Sequence, residues 1–272
     1  MKMASSIVSP LQIVLIRVVC GFIPIAIYAF YKQYLKLSHL KHLGHLIVLA
    51  LIGTIAYYYG FVKGVSFLYS GVVGALSGLT PIFSYFLALV LILEEKASAQ
   101  RIMGVALGFV GVVLISQPFA EGFSIENTEG VLYTLMGSFS IGASFVYVKK
   151  YVLPLKIPAS ALITYQLGIS AIILLLMTDL KNIGNLWGDR STAVALIFGL
   201  GILGTGVAYI IYYYIIEKLG AVSASSVAYV PPVVALFIGV FIVGESIQIQ
   251  EYVGAGFILA GVTLVNKVKQ RH

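Results

Sequence analysis

Residues 71–111 read GVVGALSGLTPIFSYFLALVLILEEKASAQRIMGVALGFVG, and their layout decides the fold. An apolar segment interrupted by Pro81 runs into the turn Glu94-Glu95-Lys96, and a second apolar segment follows, carrying Gly104 and Gly111. The same layout returns 150 residues later, where Pro231, Glu245, Gly254 and Gly261 take the places of Pro81, Glu95, Gly104 and Gly111 with no insertion between them. Four coincident landmarks make chance a poor explanation. Each copy reads as a broken transmembrane helix, a short polar turn and a closely packed transmembrane helix.

Composition places that motif in a membrane. Of 272 residues, 60% are hydrophobic and 10% charged, with a mean hydropathy of +1.02, whereas soluble domains carry about 25% charged residues. A span needs about 20 mostly apolar residues, so the length accommodates nine or ten helices and little else. A soluble catalytic or nucleic-acid-binding domain does not fit beside them. The expected partners are therefore the lipid bilayer and a small molecule, not nucleic acid, and no cofactor is expected. The net charge of +7 is read as topological, because basic residues gather in cytoplasmic loops. Cys20, the one cysteine, leaves no intramolecular disulfide and no thiol metal site. Met1 to Ser9 holds a single lysine and no small-residue cleavage site, so a cleaved signal peptide is not expected.

The apolar runs give nine spans, at about 10 to 31, 44 to 64, 67 to 93, 98 to 117, 130 to 150, 157 to 180, 191 to 216, 220 to 243 and 248 to 266. They are continuous and about twice as long as a barrel strand, without polar alternation, which selects helices over a closed β-barrel. Lysine and arginine then set the orientation. Lys32, Lys36, Lys41, Lys96, Arg101, Lys149, Lys150, Lys156, Lys218, Lys267, Lys269 and Arg271 fall on one side, against Lys2, Lys63, Lys181 and Arg190 on the other. The C-terminus is expected in the cytoplasm of a multi-pass protein of the cell membrane.

The internal match extends beyond the opening motif. Pro10 aligns with Pro158 at the start of a span, and Gly53-Thr54 with Tyr58 repeats as Gly204-Thr205 with Tyr209. The chain divides into a first unit over 1–120 with four spans and a second over 130–268 with five. The span at 130 to 150 has no counterpart in the first half, so the expected plan has ten helices with the first absent. An odd number of spans per unit places the copies in opposite orientations, as in inverted-repeat secondary transporters.

Pro10 with Arg17, the small residues before Pro81, the Glu95 turn, Gly104 and Gly111, taken with their second copy, resemble the EamA-type branch of the drug/metabolite transporter superfamily. The resemblance covers nearly the whole chain. It implies an all-α polytopic fold of two inverted five-helix repeats, both termini cytoplasmic, moving metabolites or amino acids by alternating access. The chain departs from it in lacking the first helix.

Candidate binding residues follow from polar groups placed deep in spans. Pro81 and Pro231 each remove an intrahelical hydrogen bond and follow rows of small residues that include Ser77 and Ser226. They are expected to act as hinges near a mid-membrane site, beside Thr80 and Tyr229. Three consecutive tyrosines span about 200 degrees of a helix, so Tyr57 to Tyr59 cannot all face one cavity. Tyr58 and Tyr209 are selected because they share the repeat motif, together with Thr54 and Thr205 four residues earlier on the same face. Phenols and hydroxyls suit an uncharged or zwitterionic metabolite with an apolar part. Arg17 lies about 10 Å into its helix, where an ionisable residue marks a functional site and a guanidinium could clasp a substrate carboxylate in two-pronged fashion. Tyr165 is its expected repeat counterpart.

Other polar groups receive structural readings. Glu95 and Glu245 are expected to fix the turn between helices, and no acidic residue sits deep in a span, so proton coupling through a carboxylate has no visible carrier. Ser138, Ser140 and Ser144 are expected to bond back to their own helix. His39, His42 and His45 are placed at the interface, with no metal site. Gly104 with Gly108, and Gly256 with Ala260, permit close crossings, used either inside the protein or in a homodimer. A membrane-embedded enzyme would need acid or base groups, a nucleophile or a metal in a cavity, and the spans provide no such set. The leading expectation is a secondary transporter of small organic metabolites, with an accessory membrane subunit derived from a transporter as the alternative.

Overall fold

The computed structural model describes residues 7–68, 70–93, 95–116, 128–181, 183–231, 233–234 and 249–267. Among them there is no strand. The helices are α1 (Pro10–Tyr31), α2 (Leu37–Phe67), α3 (Ser70–Ser77), α4 (Thr80–Leu91), α5 (Ala99–Ser116), α6 (Thr128–Leu155), α7 (Ala159–Met177), α8 (Arg190–Leu219), α9 (Ala221–Ser225) and α10 (Ile249–Lys267). Six apolar helical segments, with α3 and α4 counted together, are long enough to cross a membrane, and two shorter apolar helices lie in α5 and α10. Of the span expected at 220 to 243, residues 235–243 lie outside the described residues, as do Glu94 and Glu245.

Local chemistry sets the helix ends. Ser9 caps α1, its hydroxyl accepting from the Gln12 backbone while the Gln12 amide accepts from the Ser9 N–H, and Pro10 occupies the first turn, where an N–H has no intrahelical partner. The Gln12 side chain also donates to the carbonyls of Asp179 and Lys181 at 2.7 and 2.9 Å. This ties the start of α1 to the end of α7, so the two helices run antiparallel. Asp189 caps α8 by accepting from the Ser191 and Thr192 N–H groups. Hydrogen bonds from the Thr192 and Ser191 hydroxyls hold its carboxyl at about 2, below the usual carboxylate range.

The break expected at Pro81 is present, but Pro81 does not cost a helix hydrogen bond. Instead the helix stops at Gly78 and Leu79, and Pro81 sits in the first turn of α4, where its missing N–H costs nothing. In the second copy the interruption takes the form of a tight 3₁₀ turn over Ser226–Tyr229, immediately before Val230 and Pro231. Both copies therefore break the helix just ahead of the proline.

Glycine sets how closely the helices meet. In α5 and α10, Gly104 faces Gly261 and Gly111 faces Gly254; a Cβ on Gly261 would lie 2.5 Å from the Gly104 carbonyl oxygen, and one on Gly254 would lie 2.8 Å from that of Gly111. The pairing runs in opposite directions along the two helices, so they are antiparallel. Gly108 is covered by the Tyr229 ring, whereas Gly256 has nothing within 4 Å. The first small-residue pair thus serves internal packing and the second faces outward. Gly21 against Gly201 and Thr205 joins α1 to α8, and Gly60 against Tyr133 and Gly137 joins α2 to α6. Ser138 and Ser140 bond not to their own helix but across, to the carbonyls of Leu76 and Ile52 at 3.1 and 2.7 Å; only Ser144 bonds back, to Ile141 at 2.7 Å.

Candidate functional site

Both Gly-Thr motifs lie in widened π-helical turns, Leu51–Ile55 within α2 and Ala195–Val207 within α8. A π turn displaces the regular i→i−4 ladder, leaving carbonyls available to side chains, and such turns recur at functional sites. Here the Gly53 and Gly204 carbonyls accept from the Tyr209 hydroxyl and the Arg17 guanidinium. Each motif is buried, with Thr54 and Thr205 fully so, and each is closed by a polar side chain from the span that begins with the aligned proline.

At the first motif, Gln166 of α7 donates from Nε2 to Thr54 Oγ1 at 2.9 Å and accepts on Oε1 from the Tyr213 hydroxyl at 2.7 Å. Tyr209 donates its proton to the Gly53 carbonyl, so the 2.9 Å contact between Thr54 and Tyr209 has Thr54 as donor. The chain Tyr213, Gln166, Thr54, Tyr209, Gly53 thereby uses every hydroxyl proton. At the second motif, Arg17 of α1 donates from Nε to Thr205 Oγ1 at 3.1 Å and from Nη2 to the Gly204 carbonyl at 3.2 Å. The Arg17 guanidinium lies 3.6 Å from the Tyr58 ring centroid, stacked on its π face. Thr205 passes its own proton to the Leu200 carbonyl at 2.8 Å.

These contacts shift the repeat register by one residue. Pro10 is the first helical residue of α1, whereas Pro158 is the cap before α7. The residue that stands to Thr54 as Arg17 stands to Thr205 is therefore Gln166, not Tyr165. Tyr165 turns to the α2 entrance, where its hydroxyl accepts from the Lys36 N–H at 3.0 Å and meets His39 Nδ1 at 3.3 Å. A glutamine inside an apolar span was the available signal, and the proline alignment hid it.

Between the two motifs lies a cavity of about 640 Å³. Of the sequence-selected residues, Arg17, Tyr58, Ser77, Thr80, Tyr209 and Pro231 line it. Thr54 and Thr205 stand directly behind them, holding Tyr209 and Arg17. Ser226 bonds to its own turn at Ser223, Tyr229 donates to the Val105 carbonyl of α5 at 2.9 Å, and Pro81 is buried; these three are not among the lining residues. The sequence did not single out Phe61, Ile141 or Phe145, which together with the deep Tyr212 add aromatic and apolar wall. Tyr212 is held by Ser144 at 2.9 Å. Ala208, Ile211, Val227 and Pro231 remain exposed, so the cavity is open on the side of α8 and α9. Among the described residues no group of three or more His, Cys, Asp or Glu could hold a metal ion.

Comparison with known proteins follows the same outline. The EamA-like transporter family matches residues 1–117 and 128–267. An uncharacterized transporter of Archaeoglobus fulgidus is 26% identical over 220 residues, covering 80% of this chain and 75% of the relative. The uncharacterized transporter YdfC of Bacillus subtilis is 26% identical over 96% of this chain and 85% of its own. The uncharacterized inner membrane transporter YedA of Escherichia coli K12 is 26% identical over 72% of this chain, and the match spans 61% of YedA, less than two thirds of its length. A crystal structure described only as that of a protein shares the fold, with a TM-score of 0.76 at 16% identity over 97% of this chain and 89% of that one. The chain belongs to the EamA-like transporter family and is a multi-pass membrane transporter.

Proposed function

We propose that the central cavity is the substrate site of a secondary transporter that moves small organic metabolites by alternating access. The observation that carries this reading is the convergence of two similar elements on one cavity: the π turns at Gly53-Thr54 and Gly204-Thr205 anchor its polar residues Tyr209 and Arg17, and the helix breaks before Pro81 and Pro231 border it. Irregular backbone at membrane depth is tolerated where it lines a cavity, and interrupted helices around a central site are the working parts of inverted-repeat transporters. The antiparallel crossing in which Gly104 meets Gly261 and Gly111 meets Gly254 supports that repeat, because exchanging the two copies returns the same pairs.

Counterflow in proteoliposomes tests the reading. The full chain should show saturable exchange of labelled metabolites that is stimulated by unlabelled substrate on the opposite side. Pro81→Ala with Pro231→Ala should slow exchange while leaving binding intact, since continuous helices would stiffen the two breaks. Exchange at the wild-type rate in that double variant would remove the hinge role. One observation favours a second reading, an accessory subunit that works beside another membrane protein. On α2 the face at Gly60 is sealed by α6, whereas Ile210, Ile211 and Tyr214 of α8 are exposed beside the cavity. Purified protein that binds substrate but never exchanges it would support that alternative.

A further inference from the structure

Arg17 is 96% buried by exposure of 4%, yet its guanidinium faces no acid. Nε and Nη2 are committed to Thr205 and the Gly204 carbonyl, while Nη1 is buried without a hydrogen-bond partner. Among the described residues no Asp or Glu side chain lines the cavity that Arg17 borders, and the ion pairs Arg101–Glu95 and Lys218–Glu217 lie elsewhere. The equivalent place beside Thr54 is filled by Gln166, which is neutral and fully used by Thr54 and Tyr213. The threonines of the two Gly-Thr motifs are thus held with opposite logic: one side chain completes its network, and the other leaves a cationic nitrogen without a partner.

A guanidinium carries a permanent positive charge, and an ionised group out of water needs a partner. The Tyr58 ring face and a carbonyl moderate that charge without neutralising it. We infer, on the reading of this cavity as the transport site, that its ligand is an apolar monocarboxylate whose carboxylate is received by the Arg17 guanidinium, which lines the cavity and holds one nitrogen without a partner. The side-on edge of Nε and Nη2 is already occupied by Thr205 and the Gly204 carbonyl, which leaves the Nη1 end of the guanidinium for the carboxylate. Phe61, Ile141, Phe145 and Tyr212 surround an aromatic or branched aliphatic body, while an ammonium group would find no acid to pair with. An uncharged or zwitterionic ligand, suggested by the phenols and hydroxyls alone, fits less well than an acid without an amine.

The test uses the full chain in lipid nanodiscs with three probes of one shape: 3-phenylpropionate, 3-phenylpropanamide and 3-phenylpropylamine. Titration calorimetry at pH 7 should show the acid binding at least about ten-fold more tightly than the amide, with no measurable binding of the amine. Arg17→Gln should bring the acid down to the level of the amide, and Arg17→Lys should retain part of the preference. Equal binding of acid and amide by the wild type, tighter binding of the amine, or no binding of any probe would each overturn the inference without recourse to a variant. The two readings fail separately. Acid-selective binding without counterflow would leave the ionic site standing and remove transport, whereas counterflow of uncharged or cationic metabolites that ignores the acid would do the reverse.

Discussion

Gln166 and Arg17 hold the threonines of the two Gly-Thr motifs, one through an amide and the other through a guanidinium. The amide matters to stability because its network has no spare groups. Gln166→Leu strands the Tyr213 hydroxyl and removes a donor from Thr54, so it should cost about 1–2 kcal/mol. Tyr209→Phe deletes one hydroxyl and should cost about 1 kcal/mol. Tyr214→Phe, at an exposed ring, should change nothing measurable. Thermal melting in detergent compares the three, and equal midpoints would show that the network adds no stability. Thr54, Tyr58, Thr205 and Tyr209 could be read from the repeat because the Gly-Thr-x-x-x-Tyr spacing survives in both copies. Gln166 could not, because a one-residue difference in where the proline sits at the helix start moves the matching face to its neighbour.

Among the elements, α5 and α10 show what spacing alone conveys and what it leaves open. Gly104, Gly111, Gly254 and Gly261 announced close crossings, but their sequence positions did not say which helix each would meet. The answer is one another, backbone against backbone. Gly254→Leu should therefore drive α5 and α10 apart, at a cost of about 1–3 kcal/mol. Gly256→Leu, two residues away with open space around it, should be tolerated. A shared loss of stability in both variants would place the crossing elsewhere. The breaks before Pro81 and Pro231 were legible as interruptions, since proline removes a hydrogen bond wherever it stands. That Pro81 begins α4 and does not bend a continuous helix depends on Gly78 and Leu79 closing the preceding turn, a choice made by packing around them.

For the molecule as a whole, the lysine and arginine count predicts opposite faces for the α1–α2 and α7–α8 connections. In a Cys20→Ser background, exposed Lys36→Cys should react with an impermeant maleimide only after cells are permeabilised, while exposed Asn185→Cys should react in intact cells. The reverse pattern would invert the protein in the membrane.

The sequence by itself determined that this is a helical membrane protein in which the same proline and glycine landmarks occur twice, because hydrophobic length, proline interruptions and glycine spacing act within a single segment. Tertiary structure decided which side chains meet. The side-chain bonds onto the Gly53 and Gly204 carbonyls, the removal of Tyr229 from the cavity to the α5 wall, the exchange of Tyr165 for Gln166 and the unpaired Nη1 of Arg17 all arise where helices distant in sequence are brought together. A hydrogen bond is specified by the position and direction of both partners, and one-dimensional spacing supplies those only within a helix.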